Sequence, residues 1–203
     1  MKFLIAVGSK EYSESTLRVG MQIAKSFQAA VTIVYVGPKI SDFSLPHVRL
    51  AQERMEEWDF DRPGVEVLEW AFNFLAKNDY ITSTTIESGF PKNTLVQTDG
   101  NRCDVYLQGT ISTDVNLILR NGDIISELRD EVARGGFDVT IIGGSQKRRM
   151  AHDMIQYIDS SILIVNKYSP DKTYGLLLPV DDSRKTPQAV KYGVRVAQAF
   201  GIK

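Results

Sequence analysis

Phe3-Leu4-Ile5-Ala6-Val7 is a run of five apolar residues that ends at the turn Gly8-Ser9-Lys10. A short run with no polar member is the pattern of a strand covered on both faces, as in a parallel sheet. Residues 13–28 follow with Leu17, Met21 and Ala24 on one helical stripe, and Ser13 is the expected N-cap. Val31-Thr32-Ile33-Val34-Tyr35-Val36 is a second strand, rich in β-branched residues and closed by Gly37-Pro38. A strand, a helix and a strand in that order imply a right-handed crossover between parallel neighbours.

Working outward, Pro46 to Asp79 reads as helical, broken at Pro63-Gly64 into a charged piece over 47–58 and an amphipathic one over 65–77. Residues 82–87, 94–98 and 103–108 read as short strands, with Asp99-Gly100-Asn101 as a hairpin turn. They form an expected antiparallel insertion over about 80–112, outside the main sheet. Alternation resumes with a strand over 115–119, then Asn121-Gly122-Asp123 capping a helix that Gly135-Gly136 stops. A strand over 137–142 leads into Gly143-Gly144-Ser145. The basic Lys147-Arg148-Arg149 enters a short helix over 150–158, and residues 161–166 form a final strand. The expected fold is α/β: a five-stranded doubly wound parallel sheet over residues 1–167, with a small antiparallel β insertion.

The two ends of the chain resemble each other. Laid over one another without gaps, Val7 falls on Val180, Leu17 on Val190, Gly20 on Gly193, Ile23 on Val196, Ala24 on Ala197 and Phe27 on Phe200. Residues 168–203 therefore read as a linker followed by the first strand and helix of a second copy. A strand and a helix alone do not bury their apolar faces. Three explanations stand open: a shortened chain, a longer parent, or a unit docked on another surface.

Composition excludes several classes. Lys plus Arg is 24 and Asp plus Glu is 25, a formal charge of −1, with 43% apolar and 24% charged residues among 203. A near-neutral chain lacks the basic footprint of a nucleic-acid binder. No apolar run reaches the roughly 20 residues needed to span a bilayer. The single cysteine, Cys103, makes no intrachain disulfide, and no Cys/His cluster has metal spacing. A reducing cytoplasm is the expected compartment, with neither nucleic acid nor membrane as partner.

Several of these segments resemble the universal stress proteins. Leu4-Ile5-Ala6-Val7-Gly8-Ser9 with Tyr12-Ser13-Glu14 is similar to that family's first strand and turn. Asn121-Gly122-Asp123 before a helix is similar to its third-strand exit, and Asp138-Val139-Thr140-Ile141-Ile142-Gly143 and Ser161-Ile162-Leu163-Ile164-Val165 are similar to its fourth and fifth strands. Leu177-Leu178-Pro179-Val180-Asp181-Asp182-Ser183 is the best single match, resembling the start of a second such domain. The resemblance covers about two-thirds of the chain and misses the insertion. It implies a Rossmann-like fold of the adenine nucleotide alpha hydrolase type, in a tandem arrangement. It also implies pairing of edge strands, here 162–165, within a homodimer or an intrachain pseudo-dimer, together with an unidentified protein partner.

In ATP-binding members an Asp after the first strand reads adenine, and a glycine-rich loop after the fourth strand cradles phosphate on backbone N–H groups. Carried over, the resemblance implies a cofactor set of Gly8, Ser9, Val36, Gly143, Gly144, Ser145, Lys147, Arg148 and Asp181. The chain departs from the pattern twice. Gly8 stands at the Asp181-equivalent position, and no glycine follows Gly144 before Gly175, with Gln146 where the pattern has Gly. The expected function is a stress-type regulatory or interaction module with weak ATP or AMP binding and no catalytic residue or metal. The alternative is an ATPase of the same fold. His152 beside Asp153, Cys103, and Asp59 with Asp61 lack the companions that nucleophilic, redox or calcium chemistry needs.

Overall fold

The computed structural model describes residues 1–38, 64–91, 96–99, 102–110, 114–144 and 148–202. Three β-α-β steps position everything else. Strand β1 (Lys2–Val7) leads into α1 (Lys10–Phe27) and β2 (Ala30–Gly37). Helices α2 (Val65–Lys77) and α3 (Ser83–Ser88) precede the hairpin β3 (Val96–Asp99) and β4 (Arg102–Gln108). Then come β5 (Asp114–Asn121), α4 (Ile124–Gly135), β6 (Val139–Gly143), α5 (Arg148–Tyr157), β7 (Ser161–Val165) and α6 (Thr186–Ala199).

The sheet order is β3-β4-β5-β2-β1-β6-β7. Its five members from β5 to β7 are parallel, as the sequence predicts. Phe3 lies beside Val31 and Val139, and Ile5 beside Ile33 and Ile141. Alternate residues of β1 serve opposite layers. Phe3, Ile5 and Val7 join Leu17, Met21, Leu68 and Leu75 beneath α1 and α2. Leu4 joins Val34, Leu128, Val132 and Met154 beneath α4 and α5. Leu4 and Ile5 are both fully buried, which is why the opening run carries no polar residue.

Four expectations are corrected. The helix begins at Lys10 with Ser9 as N-cap, and Ser13 is buried inside it. Residues 82–87 are no strand. Thr82 caps α3 by accepting from the Thr85 N–H, and none of that helix's residues is buried. Threonine density imitates a strand, but with no apolar face to bury the hydroxyl cap decides. The hairpin does not sit outside the main sheet. β4 pairs antiparallel with β5, because Cys103, Val105 and Leu107 alternate into the core, so the sheet has seven strands rather than five. Finally, residues 177–180 form no strand, and Leu177 is 90% exposed. The helix 47–58 and the turn residues Gly100 and Asn101 lie outside the described residues.

Two contacts of the first strand and helix nevertheless recur at the C-terminal end. Gly8 N–H donates to Ser13 Oγ at 2.6 Å, and Asp181 N–H donates to Thr186 Oγ1 at 3.3 Å. Ile5 packs over Gly20 as Leu178 packs over Gly193. Helix α6 lies antiparallel on α1: Phe27 meets Tyr192 at 5.5 Å, and Gln22 Nε2 donates to the Ala199 carbonyl at 2.7 Å. Arg195 stands over the Phe27 ring at 5.0 Å.

Candidate functional site

The parallel strands run in the order β5-β2-β1-β6-β7, so the connections after β1 and β6 leave toward opposite faces. This fork at the carboxyl ends of adjacent strands is where open α/β sheets hold ligands. Register sets what lines it. Val36 is opposite Arg120, and Gly143 is opposite Val165. One step beyond the last β1–β2 pair Gly8 reaches the level of Val36, and three steps beyond the last β1–β6 pair it reaches the level of Gly144. Gly8, Ser9, Val36, Gly143 and Gly144 are thus brought together. Ser145 and Lys147 lie outside the described residues, and Arg148 opens α5.

Each glycine at the fork has a definite neighbour. A Cβ on Gly143 would come 3.0 Å from Thr16 Oγ1 of α1, a buried hydroxyl without a hydrogen-bond partner among the described residues. A Cβ on Gly144 would collide with the Asn166 side chain. The Gly144 N–H donates to the Val165 carbonyl at 2.7 Å. The Gly8 N–H is taken by Ser13. Two backbone donors that a phosphate cradle would need are therefore already engaged within the chain.

Asp181 is not at this fork. Its helix α6 runs antiparallel to α1. Lys185 and Gln188 line a cleft with Asp138, Ser160 and Ser161 at the amino ends of β6 and β7. Ahead of that helix, Asp181 Oδ1 accepts from the Ser183 N–H at 3.0 Å and the Thr186 hydroxyl at 2.6 Å. These bonds, Thr186 foremost, hold its carboxyl down to about 2. Cys103 is buried on β4, and His152 is exposed with Nδ1 3.9 Å from Asp153. His47, Asp59 and Asp61 lie outside the described residues. Among the described residues no group of three metal-ligating side chains occurs, and no helix is long and apolar enough to cross a membrane.

Sequence reasoning missed a buried ionic cluster beside the fork. Arg120, next to Val36, binds Glu127 at 2.6 Å and Glu131 at 2.7 Å. Glu131 also receives Arg102 of β4 at 3.0 and 3.1 Å, and Arg102 pairs with Asp104. Glu131 is 2% exposed. Burial opposes its charge, but hydrogen bonds and charge from Arg102 and Arg120 outweigh that and hold its carboxyl below the usual value. Glu127 and Glu131 stand four apart beside the buried Leu128 and Val132. That spacing was the available signal: acids on a sheet-facing stripe need buried bases.

No family model matches this chain, and no curated protein does. Solved structures do. An AMP-bound universal stress family protein from Arabidopsis thaliana matches at 11% identity and TM-score 0.47, over 84% of this chain and 94% of that one. A universal stress protein from Lactobacillus plantarum matches at 10% and 0.47, over 81% and 97%. One from Archaeoglobus fulgidus in complex with dAMP matches at 15% and 0.44, over 81% and 96%. At TM-scores this low, any functional reading rests on the geometry of the chain itself.

Proposed function

We propose that this protein is a universal-stress-type regulatory or interaction module whose fork between β1 and β6 binds ATP or AMP weakly. The observation that carries the reading is the Gly144 N–H, which is directed to Val165 rather than toward a ligand. Gly8 supports it by leaving no carboxylate where one would read adenine. The module works through surfaces. The β7 edge, residues 162–165, is the strand we assign to pairing with a second copy or with a pseudo-equivalent domain. A reducing cytoplasm suits the single buried thiol.

Calorimetric titration of the full chain with ATP and with AMP tests the nucleotide half. Millimolar binding is expected. Micromolar binding of ATP overturns the weak-binding reading and favours the ATPase alternative.

A further inference from the structure

Tyr12 stands at the fork and no role has been assigned to it. It lies in the first turn of α1 and is 79% exposed. Its carbonyl oxygen is 3.9 Å from where a Cβ on Gly143 would sit. Thr16, four residues on, is buried against the same point. Residues four apart share a helix face. Helix α1 runs back along β1, so one turn toward its N-terminus, about 5.4 Å, lies beyond the strand ends. The Tyr12 backbone therefore stands at the mouth of the fork beside Gly143, and the first turn of α1 carries its exposed side chain there.

Most aromatic rings of this chain are occupied by other rings. Phe3 meets Phe27, Trp70 meets Phe74, Phe72 meets Phe90, and Tyr168 meets both Tyr174 and Phe200. Tyr12 has no ring partner among the described residues. Tyr106 is comparably bare at 71%, but it sits in the middle of β4, away from the strand ends. At the fork the glycine N–H groups are engaged, Gly8 offers no side chain, and Asn166 fills the space over Gly144. Among the described residues at the fork, the Tyr12 ring is the bare aromatic face open to a planar ligand.

We propose that the Tyr12 ring is the stacking platform for the purine of an adenine nucleoside or nucleotide. This rests on the reading of the fork as a weak nucleotide site and deepens it: recognition passes through the base, not the phosphates. A base stacks on an aromatic face whatever its phosphate count. Adenosine, AMP and ATP then bind with affinities within a few-fold of each other, and ribose 5-phosphate does not compete.

The test titrates the full chain with adenosine, AMP, ATP and ribose 5-phosphate, following amide shifts by NMR. It repeats the series on Tyr12→Ala and Tyr12→Phe. An exposed position makes both variants foldable, and their spectra verify it. Tyr12→Ala is expected to weaken adenosine and AMP about tenfold or more, while Tyr12→Phe stays within about twofold of the native chain. If Tyr12→Ala binds AMP as tightly as the native chain, the stacking role fails and the weak nucleotide site stands. If ATP binds and adenosine does not, recognition runs through phosphate and the proposal fails. If none of the three binds to the native chain, both readings fall together.

Discussion

Gly144 illustrates how closely single residues set the fork. A methyl group there would enter the volume of the Asn166 side chain. The atom met is the terminal oxygen of an exposed side chain, which can turn away, so Gly144→Ala should stay within about 0.5 kcal/mol of the native chain by urea denaturation. A larger loss that Asn166→Gly recovers would show that Asn166 is held fast over Gly144. Glu131 acts at the same scale by a different force. It is the shared acceptor of Arg102 and Arg120. Glu131→Gln leaves Arg102 paired with Asp104 and Arg120 with Glu127 but takes the charge out of the hydrogen bonds both make to residue 131, a loss of about 1.5–3 kcal/mol. The sign with pH follows from a carboxyl held below its ordinary value. Its contribution is complete above that value and fades as pH falls through the lower folded one. The stability gap between native chain and Glu131→Gln, measured at pH 7 and again in the acid range, should therefore shrink on acidification. A gap independent of pH would mean that charge is not what Glu131 supplies.

At the scale of elements, legibility followed the apolar pattern. β1, β2, β5, β6 and β7 were readable because unbroken apolar runs between glycine turns have few other uses. Helix α4 was readable because Asp123 does what its position suggests, with Oδ1 accepting the Ser126 N–H at 3.0 Å. Residues 82–87 misled because β-branching describes side-chain shape, while the helix there is decided by a cap. The place of the hairpin was illegible for another reason. Pairing of β4 with β5 is a long-range register, reinforced by Arg102 reaching across to Glu131 on α4, and no local window contains both partners. The fork itself was half legible. Its glycines announce the turns, whereas the engagement of their N–H groups by Val165 and Ser13 exists only after folding. Tyr12 reads in the sequence only as part of a turn, because a single exposed aromatic has no pattern to stand out from.

For the whole molecule, the proposed pairing through 162–165 concerns β7, among the described residues the one parallel strand of the sheet with a neighbour on a single side. Its residues Ile162, Leu163 and Ile164 are half-buried, so an added strand would cover apolar surface as well as backbone. Sedimentation of the full chain should give a concentration-dependent dimer, and Leu163→Lys should shift it toward monomer by setting like charges together at the seam. A native chain that stays monomeric at high concentration would remove the edge from consideration. The docking of α6 on α1 is independent of that outcome, since it uses the layer formed by Gln22 and Phe27.

The hairpin adds its bulk at β5, two strands away from the fork. Growth at that flank widens the sheet away from Gly8, Tyr12 and Gly144, while Arg102 of β4 reaches back through Glu131 to Arg120 beside Val36. A reporter group grafted near Asp99, the partner of Arg102 in the hairpin, would ride on that margin one ionic cluster removed from the cleft.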